Sequence, residues 1–400
     1  MPSPRTPYEA VLHAARDVTK LDCALDAEML GAALLGSVYA IADGDRSEAV
    51  RDFVGAFLTA TARRRTPAAT AIRTVFASLV PDAAGAPGVR PGTQAPRWGG
   101  QLGRVRPTGS YAYGDVFGDQ TSYVATFVYD DTGAGGPEHA VVALVDHNIG
   151  IVKDVFVNSR AGALLTGVRE MCAADDLVWF GEVDPAALHG EVARHLEVTD
   201  GLTSLPGEGS LATDRVLVGA RLALLPRKPE PEPAPLDPAA REALGRDFLA
   251  SAEAREAGLS ALDGADELTM HFCLSLLMDH ADTFPDAQPL RWSPAMVGLF
   301  LLDWVHRRAV LDDSDAAMLP RTLRAWVEFA ARRRDLPVAA AAQTVAAVDD
   351  LAPEFARLHG TGERRSAATQ AVVQLMAEGV DPNDPVALNA WLQANGNAPT

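Results

Sequence analysis

Residues 121–158, TSYVATFVYDDTGAGGPEHAVVALVDHNIGIVKDVFVN, constrain this chain more than any other stretch, because they alone read clearly as sheet. Tyr123, Val124, Thr126, Phe127, Val128 and Tyr129 form a β-branched and aromatic run, which fits a pleated, half-buried surface. Residues 130–137 hold two Asp, three Gly and one Pro, the composition of a turn. HAVVALVD at 139–146 is an apolar run of strand length. In His147-Asn148-Ile149-Gly150, Asn and Gly accept the positive φ of a tight turn. Residues 151–157 then return as a third strand. A three-stranded meander is predicted, stable if one face is covered.

The meander carries a polar constellation of His139, Asp146, His147, Lys153 and Asp154. With a period of two, His139, Val141, Ala143, Val145 and His147 share one face, and Ala140, Val142, Leu144 and Asp146 the other. Across a short turn, Asp146 or His147 reaches Lys153 or Asp154. Two His and two Asp suit a metal ion or a His–Asp acid/base pair. They suit a turn equally well, because their side chains bond local backbone, with Lys153 and Asp154 as a solvated charge pair. His139 and His147 are eight residues apart in an extended strand, about 27 Å at ~3.3 Å per residue, and cannot ligate one ion. The turn reading is preferred, so no catalytic residue, bound metal or cofactor is expected.

A chain of 400 residues exceeds one ordinary domain, and 48% apolar residues suffice for real cores. Cys23, Cys172 and Cys273 lie far apart without CxxC spacing. That argues against a zinc ribbon or a disulfide framework and for a reducing cytoplasm. The opening MPSPRTPYEA has no apolar signal-like core. No run reaches the ~18 apolar residues of a membrane span; the longest candidate, 296–305, is interrupted by Asp303. A net charge of −18 disfavours general binding to nucleic acid or anionic membrane.

Five segments are expected. Residues 1–82 read as a bundle of short helices, with Ser47 as a cap and Arg63, Arg64 and Arg65 closing one helix. Residues 83–110, rich in Gly, Pro and Arg, read as a linker; residues 111–225 form an α+β domain around the meander. Its later part holds a helix at 161–173, a short strand at 177–180, a helix opened by Asp184-Pro185, and one more strand or short helix near 214–225. Residues 226–238, PRKPEPEPAPLDP, are a Pro-rich spacer. Residues 239–400 are helical, with Ser293-Pro294, Asp312, Pro337, Pro353 and Asp384-Pro385 at helix starts. The fold class is α+β multidomain, mostly α-helical with a central small antiparallel sheet.

Two further constellations are weighed. Arg90, Arg97, Arg104 and Arg106, interleaved with Trp98, Tyr111 and Tyr113, match the stacking platform of a single-strand binder. In the C-terminal region His271, Asp279, His280, Asp282, Asp303 and His306 supply metal-ligating types. The adjacent His-Asp pair of HD-type phosphohydrolases is absent, since the order is Asp279-His280. GAGG at 133–136 precedes no helix pattern and is not a dinucleotide fingerprint.

The phrases RWSPAMVGLFLLDWVHRRAVLDD, LRAWVEFAARRRDLP, DPNDPVALNAWLQ and HAVVALVDHNIGIVKDVFV resemble segments of a group of uncharacterised proteins from high-GC actinobacteria. The resemblance covers about half the chain and implies neither an activity nor a functional residue. The expectation is therefore a non-catalytic cytoplasmic interaction or scaffold protein with a protein partner, no membrane and no nucleic acid. One alternative is a metal-dependent hydrolase with Asp146, His147 and Asp154 as ligands and His139 as a remote proton carrier. The other is a nucleic-acid-associated regulator using Arg63, Arg64, Arg65 and the basic linker.

Overall fold

A computed structural model describes residues 6–83, 95–207, 209–228, 234–284, 288–380 and 384–395. Residues 84–94 of the 83–110 linker, with Arg90, and residues 229–233 of the Pro-rich spacer lie outside the described residues. The chain forms two compact units, 1–231 and 232–400, each mostly helical. The whole is α+β, with one small antiparallel sheet, in the first unit.

That sheet contains β1 Val105–Asp115, β2 Gln120–Tyr129, β3 His139–Asp146, β4 Ile151–Asn158 and β5 Val178–Glu182, in the order β4-β3-β2-β1-β5. Strands β2, β3 and β4 are the meander read from the sequence. Strand β1 corrects the expected linker boundary, because it runs through residues 105–110. Its Pro107 and Gly109 break strand patterning, but a register shift between them absorbs the irregularity. A second bulge separates Leu144↔Asp154 from Val145↔Val152. The extra residue, Lys153, lets Val152 and Val155 both enter the same core although they lie three apart.

The helices of this unit are α1 Pro7–Ala14, α2 Ala24–Ile41, α3 Arg46–Thr61, α4 Pro67–Leu79, α5 Thr132–Gly135, α6 Ala161–Ala173, α7 Pro185–Asp200 and α8 Leu211–Leu222. Thr6, Asp45, Thr66 and Asp184 accept first-turn N–H groups as caps. Ser47 is not the cap; its hydroxyl donates to Asp45 at 2.8 Å. The ambiguous segment near 214–225 is helical, because α8 buries Leu217, Val218 and Leu222 as one stripe.

Residues 1–82 are not a separate bundle. One continuous core joins Leu35, Phe57 and Phe76 to Phe127, Val141 and Val155 of the sheet and to Leu196 and Leu217 of α7 and α8. Helix α2 lies so close to α8 that a Cβ at Gly36 would come 2.4 Å from the Ala212 carbonyl oxygen. Helix α2, not 296–305, is the apolar run of near-span length among the described residues. Its 18 residues, mean hydropathy 1.4, are long and apolar enough to cross a membrane, yet half of it is buried in this core. The opposite sheet face packs Val124, Ala140 and Val142 against Ala161 and Leu165 of α6.

The second unit contains α9 Pro238–Leu249, α10 Ala252–Glu256, α11 Gly264–Ala281, α12 Pro294–Leu299, a π-helical turn Phe300–Trp304, α13 Val305–Arg308, α14 Asp313–Arg333, α15 Val338–Thr361, α16 Ala367–Ala377 and α17 Pro385–Asn395. Ser293 and Asp312 cap as expected, Asp312 in a reciprocal box with Asp315. Pro353 does not start a helix; it lies inside α15. Val348, Phe355 and Leu358 are buried on either side of it, and that packing outweighs the ~3 kcal/mol propensity cost. Phe248, Trp326 and Phe329 interlock at ring distances of 5.1–5.6 Å in the core.

Candidate functional site

His139 opens β3 and is fully buried, between the rings of Phe127 and Tyr129. Its Nε2 accepts a hydrogen bond from Arg221 Nε at 3.0 Å. Since that nitrogen is the acceptor, the proton is on Nδ1, which faces the Pro137 carbonyl oxygen at 3.4 Å. Burial, reinforced by the Arg221 charge, pushes the His139 pKa down to about 3. Arg221 also bonds the buried Glu28 carboxylate and, at 2.8 Å, the Tyr129 hydroxyl. Tyr129 donates to Glu28 Oε2 at 2.5 Å, and the Gly103 N–H to Oε1 at 2.7 Å. Burial raises the Tyr129 pKa well above the ordinary phenol range. This polar knot ties α2, β2, β3 and α8 together inside the core. It holds His139 neutral and sealed, away from the other four candidates.

Asp146 is occupied by the turn. Its Oδ1 accepts from Asn148 N at 3.0 Å, its Oδ2 from Gln120 Nε2 at 3.1 Å, and Lys153 Nζ stands 3.4 Å from Oδ2. Lys153 therefore pairs with Asp146 rather than with Asp154. Asp154 accepts from the Val155 N–H at 2.9 Å and neighbours Asp214. Burial, with the Asp154 charge beside it, pushes the Asp214 carboxyl up. Gly150 has φ +70°, the left-handed conformation its place in the turn predicts.

His147 is drawn elsewhere. Its Nε2 lies 3.1 Å from Thr121 Oγ1, and its ring meets that of His195 edge-on at 5.4 Å. His195 and Glu191 are four residues apart on one face of α7. One ligand atom from each of His147, Glu191 and His195 lies within 4.8 Å of the others. Among the described residues this is the group of metal-capable side chains that converges; Asp146 and Asp154 are not part of it. Glu191 and His195 were overlooked in the sequence. The available signal was the Glu-x-x-x-His spacing within a helical segment, which only the fold brings under the 147–150 turn.

A second buried cluster joins α2, α7 and α8. Asp200 accepts from Tyr39 Oη at 2.6 Å and, in a fork, from Arg215 Nε and Nη2 at 3.1 and 2.5 Å. A cavity of about 390 Å³ opens beside it, lined by Tyr39, Val50, Leu79, Arg215, Val216 and Ala220. That volume is within the range of small-molecule pockets, but Arg215 is already matched by Asp200, and Arg221 at its rim by Glu28.

The C-terminal candidates are dispersed. Asp279 and Asp282 both bind Arg241, Asp303 binds Arg307, and His306 packs on Phe355. His280 is ringed by Phe284, Trp292, Phe300 and Trp304, and burial lowers its pKa to about 4. Cys23, Cys172 and Cys273 are unpaired and burial raises each thiol, Cys273 to about 12. Trp98 is buried and donates to the Leu21 carbonyl oxygen at 3.0 Å, so it offers no ring for stacking bases. Comparison with protein-family models, with curated proteins and with solved structures returns no match.

Proposed function

We propose that the chain is a non-catalytic interaction protein of the cytoplasm that docks an extended, basic segment of a protein partner along β5. The carrying observation is the contrast between the two sheet edges. On the β4 edge, the Val152 N–H donates to Thr199 Oγ1 and the Val157 N–H to Asp214 Oδ2, each at 2.9 Å. Those side chains occupy the groups an added strand would need. On the β5 edge no strand pairs with the far side among the described residues. Main-chain pairing there is the physical basis of strand addition, with side-chain contacts setting specificity.

Surroundings of β5 favour this reading. Trp179 and Met171 are 38% and 49% exposed, so apolar surface is available to cover. Residues 170–184 carry Glu170, Asp175, Asp176, Glu182 and Asp184 and no base; Lys228 already pairs with Asp184, and the other four acids favour a basic partner. Behind them Arg169 stacks over Phe180 at 5.0 Å and Tyr111 at 5.7 Å, stiffening the β1–β5 pair. Three unpaired cysteines suit a reducing compartment.

The test uses a peptide of alternating Lys and Val. It is expected to bind, to slow amide exchange at Phe180 and Glu182, and to release as salt is raised. Asp176→Lys combined with Glu182→Lys should weaken it at least about tenfold, from two charge reversals at the rim. No binding, or binding that leaves the β5 amides unprotected, overturns the reading.

A further inference from the structure

The geometry points to a binding site for one divalent transition-metal ion, of the zinc class, formed by His147, Glu191 and His195. It involves neither β5 nor its acidic flank, and stands or falls apart from the docking reading.

Two imidazoles and one carboxylate are a ligand set suited to zinc and its neighbours rather than to calcium or magnesium, which take oxygen ligands. Their ligand atoms lie within 4.8 Å of one another. That spacing suits a shared ion: two ligands about 2.0–2.1 Å from a tetrahedral centre are about 3.4 Å apart, within reach of small side-chain rotations. The elements that present them are fixed. His147 is at the end of β3, where its N–H donates to the Asp119 carbonyl oxygen at 2.9 Å. Glu191 and His195 share one face of the capped helix α7.

The surrounding bonds orient the ligands. His195 Nδ1 lies 2.7 Å from the Glu191 carbonyl oxygen. A carbonyl only accepts, so Nδ1 bears the proton and Nε2 the lone pair, the tautomer that coordination through Nε2 needs. Thr121 Oγ1 stands 3.1 Å from His147 Nε2 and can orient that ring in the same way. Arg194 holds the Glu191 oxygens at 2.9 and 3.0 Å. A carboxylate has about four lone-pair positions, so it can keep Arg194 as an outer partner while one oxygen binds the ion. Arg194 then positions Glu191 and is not itself a ligand. Three protein ligands leave a fourth position for water, and the ion would pin the 147–150 turn to α7.

The full chain, stripped with EDTA and dialysed, is titrated with Zn²⁺ by calorimetry and with Co²⁺ by absorption. Binding of one ion per chain is expected, with a rise in Tm and a Co²⁺ spectrum free of thiolate charge transfer. His147→Asn, Glu191→Gln and His195→Gln should each weaken Zn²⁺ binding at least about tenfold. If the buried His195 variant does not fold, the turn variant His147→Asn carries the comparison. No binding by the wild type overturns the site. So does affinity unchanged in His147→Asn and Glu191→Gln, or a thiolate band that places the ion on a cysteine.

Discussion

Arg221 Nε donates to His139 Nε2 over 3.0 Å, and this bond makes the folded state intolerant of a protonated His139. Burial is the larger cause, and together they take the His139 pKa from 6.5 to about 3. The unfolded chain binds a proton below pH 6.5, whereas the folded chain does not until about pH 3. The contribution is therefore complete above pH 6.5 and is lost as pH falls through that window, at up to about 1.4 kcal/mol per pH unit. His280 acts in the same direction between 6.5 and about 4. Urea unfolding at pH 7, 6 and 5 should give a stability slope that is shallower in His139→Gln by about one proton. Parallel slopes would contradict this account.

The same knot sets the cost of truncating its cation. Arg221→Met leaves the buried Glu28 carboxylate with only the Tyr129 hydroxyl and the Gly103 N–H as donors. Removing one member of a buried pair costs about 3–5 kcal/mol, because the remaining charge is uncompensated. Glu28→Leu combined with Arg221→Met should cost less than the sum of the single changes, by about 0.5–3 kcal/mol of coupling. Equilibrium denaturation of the two single variants and the double variant measures this, and additivity would show that the two groups act separately.

How much was legible in the sequence follows from which interactions are local. β2, β3, β4 and the 147–150 turn were readable because alternation, β-branching and Asn/Gly turn chemistry are local signals. β1 was hidden because Pro107 and Gly109 mimic a linker, and only pairing with β2 makes them a strand. The unity of the N-terminal unit was hidden as well, since the contact of α2 with α8 joins residues far apart in sequence. Within the candidate site, Asp146 as a turn residue was legible. Glu191, His195, Arg221 and Glu28 were not, because each acquires its partner only through tertiary packing.

Two glycines of positive φ separate conformational strain from crowding. Gly150 has φ +70° and open space where a Cβ would point, so Gly150→Asn should cost little and Gly150→Val distinctly more. Gly136 has φ +115°, with Cys23 Sγ 3.0 Å from a Cβ built there. Gly136→Ala meets both penalties and should destabilise by about 1–3 kcal/mol or more. His147→Asn, at a turn position that tolerates Asn, should cost at most about 1 kcal/mol in metal-free protein. Thermal melts in EDTA rank the four; Gly136→Ala melting above Gly150→Asn would contradict the backbone reading.

The two caps of the β4 edge differ in chemistry. Thr199 Oγ1 accepts from the Val152 N–H at 2.9 Å and also lies 2.9 Å from the His195 carbonyl oxygen, to which it donates. Thr199→Val keeps the shape but leaves a buried N–H without an acceptor, at a cost of about 1–3 kcal/mol. Asp214 is different: burial raises its pKa, so its ionised form is disfavoured in the folded state. As a raised acid it gains stability when pH falls and loses it when pH rises through the folded value. Asp214→Asn keeps an oxygen for the Val157 N–H, 2.9 Å away, and removes the charge beside Asp154. It should therefore be neutral or stabilising at pH 7 and lose that advantage in acid. With both caps removed, as Thr199→Val and Asp214→Leu, the edge regains unpaired groups and should self-associate by strand pairing. Sedimentation of the double variant against wild type measures that association, and a double variant that stays at the wild-type mass would mean that α7 and α8 shield the edge without those two side chains.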